Sequence, residues 1–320
     1  MRTPRRPGGA WRRWATMLAA MALCGCRPPP PPRSATGIER FDPDLVDGQR
    51  ALAETAALVA LGPREAGTPG AERAAAHIRS RLEAAGIEAR IECFEDDVPG
   101  GRAVFRNVIG RLPGRGEGLI VLGSHYDTKS GMPEGFEGAN DSGSSTGLLI
   151  ELARVFREGP VVGPEIRWVF LDGEECRVAY GPRDGLHGSR HLARQLVEEG
   201  RAKDVRAVLV LDMVGDRDLT FTLPRNQTPA LLRRLLAAAR AENVRERCRL
   251  LPHDVLDDHE PFLRAGLPAA LLMDFEYGRA PGLNDYWHTA EDRLDKLSAE
   301  SLTMAGRVVV RFVNNLLPAP

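Results

Sequence analysis

Two adjacent glutamates, Glu174 and Glu175, follow the apolar, β-prone run Ile166-Arg167-Trp168-Val169-Phe170-Leu171 after an Asp172-Gly173 turn. Carboxylates side by side at the mouth of a buried strand repel each other and lose hydration. Such a pair persists when a cation neutralises one member and the other is kept for proton transfer. Four further residues of metal-ligating type occupy comparable places. His125 follows the apolar run 119–123, and Asp212 follows the run 208–211. Asp141 lies in Gly138-Ala139-Asn140-Asp141-Ser142-Gly143, a glycine-bounded loop leading into a helix. Near the C-terminus, Tyr286-Trp287-His288-Thr289 supplies a second histidine. His125, Asp141, Glu175, Asp212 and His288 thus form a mixed imidazole and carboxylate set at strand ends or adjoining loops, which suits zinc, and an open coordination position would make the metal catalytic. His125 and Asp127 are two apart on an extended chain, so both face one way and the carboxylate can fix the far ring nitrogen.

The elements that must hold these residues alternate. Apolar periodicity predicts helices over 47–61 and 70–85, then paired strands over 87–94 and 103–111. Strands over 119–123, 165–171, 205–214 and 269–274 then alternate with helices over 142–157, 186–198 and 228–242. A last helix spans 298–317. The alternation predicts an α/β fold, a three-layer α/β/α sandwich with a mixed, mostly parallel central sheet. Function in such sheets collects at the carboxyl ends of the strands, where the motifs lie.

The chain has 320 residues with a net charge of −1, which argues against a nucleic-acid footprint. Five arginines before position 14 and an apolar stretch over 14–23 read as an export signal ending in Leu23-Cys24-Gly25-Cys26. That ending resembles a bacterial lipobox with Cys26 as the lipidated residue. The expected organisation is a lipoprotein signal peptide over 1–25, a lipidated cysteine and proline-rich spacer over 26–41, and one catalytic domain over 42–320. The protein would then face the periplasm, tethered to the membrane only by its lipid. Arg27, in place of an inner-membrane retention aspartate, points to the outer membrane. Cys93, Cys176 and Cys248 are too few and too irregular for a disulfide framework.

From Asp42 to Phe312 the chain resembles the zinc aminopeptidase and glutaminyl cyclase family, with GSHYDT, GANDSG, LDGEE, LDMVGD, DDHEPF and WHT in the family's order. The resemblance implies that Asp141, Glu175 and His288 hold a zinc ion and that Glu174 is the general acid/base. In the two-metal aminopeptidases, counterparts of His125 and Asp212 complete a second zinc with Asp141 bridging. In the cyclases, the counterpart of Asp212 joins a hydrogen-bond chain behind the acid/base. One zinc or two is therefore the cofactor expected, and a peptide with a free N-terminus the partner.

Two segments resemble the cyclase branch more closely. The glutamates lead into a long loop over 176–184 and then Gly185-Leu186-His187-Gly188-Ser189. Asp257-Asp258-His259-Glu260-Pro261-Phe262 matches a cyclase segment in which the counterpart of Asp257 hydrogen-bonds the catalytic glutamate. Trp287 matches a pocket-lining aromatic, and Lys129 agrees too. Tyr180 stands where cyclases carry tryptophan, Leu256 where they carry glutamine, and Ser124 and Thr146 where animal cyclases carry a disulfide. The run 274–285 is longer than its cyclase counterpart. Trp287, His259, Tyr180 and Lys129 are the candidate substrate contacts, and Glu174 and Asp257 the catalytic pair. His77, His187, His191 and His253 read as surface or packing residues.

The reading preferred is a glutaminyl-peptide cyclotransferase, turning an N-terminal glutamine into pyroglutamate with release of ammonia. An aminopeptidase is the alternative. A non-catalytic metal-binding lipoprotein is a third, and an unligated second glutamate argues against it. The lipobox has its own test. Cys26→Ser should release the protein from membrane fractions, because the lipid supplies the only strong membrane affinity. A wild-type protein that fractionates as soluble and carries no lipid overturns that assignment.

Overall fold

The computed structural model describes residues 40–318. The export signal, Cys26 and the proline-rich spacer lie outside the described residues. At the centre is an eight-stranded sheet: β1 (Glu88–Val98), β2 (Gly101–Leu112), β3 (Leu119–His125), β4 (Glu165–Leu171), β5 (Val205–Asp212), β6 (Phe221–Leu223), β7 (Cys248–Leu250) and β8 (Ala269–Met273). Their spatial order is β1-β2-β4-β3-β5-β8-β6-β7. The four inner strands β4, β3, β5 and β8 run parallel. The β1–β2 hairpin joins them antiparallel through β2 and β4. Every residue of β3, β4 and β8 is buried, as expected of strands covered on both faces.

The covering helices are α1 (Gly48–Val59), α2 (Pro69–Ala84), α3 (Ser145–Glu158), α4 (His187–Glu198), α5 (Pro229–Ala241), α6 (His259–Arg264) and α7 (Ala299–Asn314). Apolar stripes of α1, α2, α3, α5 and α7 enclose one core with one face of the sheet. Leu192, Ala193 and Leu196 of α4 and Phe262 of α6 build a second core on the other face. The three-layer sandwich and its mostly parallel sheet are as the sequence predicts. Side chains set several helix starts: Asp47 accepts from the N–H groups of Gln49 and Arg50, and Thr68 from those of Gly70 and Ala71 ahead of α2. No helix among the described residues is long and apolar enough to cross a membrane.

Four elements differ from expectation. The strands β6 and β7 have three residues each, too few to show a period of two. Helix α6 has six residues in a segment that reads as a loop. The helix expected over 142–157 starts at Ser145, after a wide turn over Ala139–Ser144 in which Asp141 and Ser142 leave helical geometry. That irregular turn puts Asp141 at the sheet edge. Cys93, Cys176 and Cys248 are all free.

Helices α1 and α3 touch at Gly147, where a Cβ atom would overlap Thr55 Oγ1 and lie 2.6 Å from the Ala51 carbonyl oxygen. Gly147→Val should therefore destabilise the protein by about 1–3 kcal/mol, the usual cost of overpacking. Urea unfolding reads this directly, and an unchanged midpoint would contradict the close contact.

Candidate active site

Three neighbouring parallel strands end at one edge of the sheet. β3 ends in His125, β5 in Asp212, and β4 runs into Asp172-Gly173-Glu174-Glu175. Asp141 arrives from the turn before α3 and His288 from the connection after β8. All five ligand-type residues of the sequence reading converge there. His125 Nε2 lies 3.1 Å from Asp141 Oδ1 and 3.4 Å from Asp212 Oδ1. His288 Nε2 lies 3.2 Å from Asp141 Oδ2 and 2.8 Å from Glu175 Oε1. Asp141 thus gives one oxygen to each of two triads, His125–Asp141–Asp212 and Asp141–Glu175–His288, each with its ligand atoms within 4.8 Å of one another.

Backbone and buried side chains hold this geometry. Asp127 Oδ1 stands 3.4 Å from His125 Nδ1, and its carboxylate accepts the N–H groups of Glu174 at 3.1 Å and Glu175 at 3.2 Å. One carboxylate therefore sets both the imidazole and the paired glutamates. The Asp292 carboxylate accepts the N–H of Asn140 at 2.7 Å and of Asp141 at 3.3 Å. Arg64, fully buried, donates to the carbonyls of Tyr126 and Gly138, both at 2.9 Å. Sequence reading passes over both residues. Asp292 does sit four positions after His288, but Arg64 stands in a loop with no periodic signal. His288 and Met213, each beside or within the site, have positive φ of 55° and 48°, a conformation non-glycine residues rarely adopt and that clusters at functional sites.

The electrostatics suit a bound cation. Burial opposes charge on both imidazoles, yet Asp127, Asp141 and Asp212 raise the His125 pKa well above its usual value. Asp141 and Glu175 likewise raise His288 to about 9. Burial also opposes ionisation of Asp141, but the two imidazoles hold its carboxyl below the usual range. Asp212 and Glu175 are pushed up, first by burial and then by Asp141. Asp212 Oδ1 and Glu175 Oε2 are buried and make no hydrogen bond, with only long contacts of 3.4 Å to His125 Nε2 and Lys129 Nζ, a costly state that a bound metal would relieve. Nitrogen and carboxylate donors facing inward with oxygens to spare fit a divalent metal.

Glu174 stays out of both triads. Burial, then Glu175, Asp258 and Asp257, raises its pKa well above the ordinary carboxylic range, with His125 opposing. The Tyr180 hydroxyl stands 3.1 Å from each of its oxygens. The hydrogen bond implied from Asp257 to Glu174 is not formed. Asp257 instead accepts the Asp258 N–H at 2.5 Å, and Asp258 accepts from Ser189 Oγ at 2.5 Å. Two carboxylates in one buried place repel, so the hydroxyl takes the position nearest Glu174.

A cavity of 250 Å³ opens over Glu174 and the metal-type residues, walled by Tyr180, Leu256, Asp257, Phe275 and Trp287. The Trp287 ring stacks on His288 at 3.9 Å and meets Phe275 edge-on at 5.2 Å. Two candidate substrate contacts lie elsewhere. Lys129 sits behind Glu175, its Nζ 3.4 Å from Glu175 Oε2 and bonded to the Cys176 carbonyl at 2.6 Å. His259 is buried, its Nε2 2.9 Å from the Asn226 carbonyl oxygen, with a pKa lowered by burial to about 4. His253, which reads as a surface or packing residue, is exposed and lines the cavity.

Comparison with known proteins places this arrangement. Residues 107–313 match the model of peptidase family M28. The chain belongs to peptidase family M28. A glutaminyl-peptide cyclotransferase of Bothrops jararaca is 29% identical over 287 residues, covering 78% of this chain and 76% of that protein. The crystal structure of an Acidobacteriales bacterium glutaminyl cyclase is 36% identical, covers 89% of this chain and 97% of its own, and superposes with a TM-score of 0.79. A leucine aminopeptidase precursor from Bacteroides thetaiotaomicron shares the fold at 23% identity, with 87% and 98% coverage and a TM-score of 0.73. This M28 chain is therefore an enzyme, a glutaminyl cyclase or a metal-dependent peptidase.

Removing any member of the Asp141–Glu175–His288 triad should empty it. Asp141→Ala, Glu175→Ala and His288→Ala should each lose bound metal, because the deletion opens the coordination shell. Elemental analysis of the purified variants checks this, and wild-type metal content in all three would overturn the ligand assignment.

Proposed function

We propose that this M28 enzyme is a zinc-dependent glutaminyl-peptide cyclotransferase acting on peptides with an N-terminal glutamine. The observation that carries the reading is the enclosure of Glu174. An acid/base with a raised pKa lies in a cavity of single-residue size, under Tyr180, Leu256, Phe275 and Trp287. Cyclisation needs the glutamine side chain folded back on its own α-amine, and an apolar wall favours that compact shape over attack by bulk water. The 36% identity with the Acidobacteriales glutaminyl cyclase supports the same choice.

Asp141, Glu175 and His288 would hold the zinc, which when bound supplies Lewis-acid polarisation of the side-chain amide carbonyl. Glu174 accepts a proton from the α-amine as its nitrogen forms a bond to the amide carbon. It then gives that proton to the departing nitrogen as the carbon–nitrogen bond breaks, so ammonia leaves and no net proton is gained. Tyr180 orients the Glu174 carboxylate from outside, and Asp257 and Asp258 keep its proton affinity high from behind. Trp287 holds the His288 ring and forms the apolar wall. The lipid anchor at Cys26 belongs to the same proposal, which sets the enzyme on the outer membrane, facing the periplasm.

One observation favours the peptidase as the second reading. The triad His125–Asp141–Asp212 would hold a second zinc, which would supply the activation of water that a hydrolase needs. His125→Ala separates the two. It should leave one tightly held zinc and most activity in a cyclase, but cripple a two-metal peptidase. Product mass decides the reaction itself. Loss of ammonia alone from a glutaminyl peptide supports the cyclase, whereas release of a free amino acid means peptidase.

Glu174→Gln tests the proton transfer. It keeps size and leaves Glu175 on the metal, so zinc content should remain normal while turnover falls by roughly two to four orders of magnitude. Asp257→Asn should act in the same direction, and the two changes together should cost less than the sum if both serve one proton. A Glu174→Gln protein without zinc would reverse the roles of the glutamates, and one with full activity would remove Glu174 from the chemistry.

A further inference from the structure

Beside the active-site cavity lies a second one of 590 Å³, within the size range of ligand sites. It runs between the 176–184 loop, α4 and α6. The two cavities share Tyr180 and Leu256, large side chains left 37% and 42% exposed at their boundary. Leu186, Ala193, Pro261 and Ala265 give the second cavity an apolar floor.

Its charged groups are nearly all engaged. Asp184 accepts the N–H groups of Arg177, Val178 and Ala179. Glu260 pairs with Arg264 at 2.8 Å through Oε1, while its Oε2 is buried without a hydrogen-bond partner. Arg190 donates to the Gly181 carbonyl at 2.9 Å and lies 3.7 Å from Asp96. Arg194 is different: among the described residues no carboxylate lies within ion-pair distance, and its recorded polar contact is His191 Nδ1 at 3.5 Å. The groove therefore offers apolar surface and one uncompensated guanidinium.

We propose that this groove holds the substrate residues after the N-terminal one, and that it selects apolar side chains followed by a carboxylate opposite Arg194. The inference rests on the proposed peptide substrate. A peptide with its first residue over Glu174 must leave the cavity across the rim, and Tyr180 and Leu256 are the part of that rim that borders the groove. An extended chain advances about 3.3 Å per residue, so three residues reach roughly 10 Å along it. The carboxylate can come from an acidic side chain or from the end of a short peptide.

Steady-state kinetics test both parts. The substrates are Gln-Ala amide, Gln-Leu-Leu-Glu amide, Gln-Leu-Leu-Gln amide and the free acid Gln-Leu-Leu-Gln. An exposed ion pair should lower KM for a carboxylate-bearing tetrapeptide about two- to fivefold against its neutral counterpart, with kcat unchanged. Arg194→Glu, an exposed change, should abolish or reverse that preference. The substrate that responds, the glutamate amide or the free acid, identifies the source of the carboxylate. Ala265→Trp should fill the floor and raise KM for the tetrapeptides about tenfold relative to Gln-Ala amide. Equal KM ratios in the wild type and both variants overturn the groove while leaving cyclisation of Gln-Ala amide intact. If glutaminyl peptides are not cyclised but leucyl peptides are hydrolysed, the cyclase reading fails. The same ratios are then read on Leu-Leu-Leu-Glu amide and Leu-Leu-Leu-Gln amide, and they decide the groove by the same criterion.

Discussion

A single buried carboxylate, Asp141, lies between two imidazoles, and much of the surrounding structure is arranged to keep it there. Its two oxygens face His125 and His288 at 3.1 and 3.2 Å. Asp212 and Glu175 add further buried negative charge on either side. Such a group is tolerated only if positive charge is supplied close by. The parallel strands supply position, because β3, β4 and β5 end together and their terminal residues share one edge. Arg64 and Asp292 supply the rest. One gathers loop carbonyls from Tyr126 to Gly138, and the other fixes the backbone N–H groups of Asn140 and Asp141.

The same charge accounts for the different positions of the two glutamates. Glu175 points at His288 and is engaged in the triad. Glu174, one residue away, takes the opposite side and meets Tyr180, Asp257 and the apolar wall. Asp127 holds both backbone N–H groups, so the pair cannot exchange places without breaking two hydrogen bonds. Tyr180 belongs to a loop closed by Asp184, whose carboxylate accepts three successive backbone N–H groups. The length of that loop is what brings a hydroxyl over Glu174.

Much of this is legible in the sequence because apolar runs that end abruptly in His, Asp or Glu mark parallel strands and their functional edge together. His125, Asp212 and the Glu174–Glu175 pair are found that way, whereas Asp141 and His288 stand in loops and are found from their motifs. What is not legible has physical reasons. Arg64 and Asp292 act through backbone atoms, which no side-chain pattern records. The strands β6 and β7 are too short to show a period, and α6 lies in a segment bounded by acidic residues and interrupted by Pro261. Lys129 and His259 carry the right chemistry at a suggestive distance along the chain, but folding turns one behind Glu175 and packs the other against the Asn226 carbonyl. His253 shows the reverse, an unremarkable connector residue that folding brings to the cavity wall.

The central claim is that a bound cation balances the buried carboxylates around Asp141 and is coupled to folding. Urea unfolding of chelator-stripped protein, with and without added zinc, tests it most directly. Zinc at a thousandfold excess over its dissociation constant should restore about 4 kcal/mol of stability if it binds only the folded state. The Asp141→Ala protein should gain little from the same addition. Equal unfolding curves for the stripped and zinc-loaded wild type, at zinc concentrations that saturate the protein, would contradict the account.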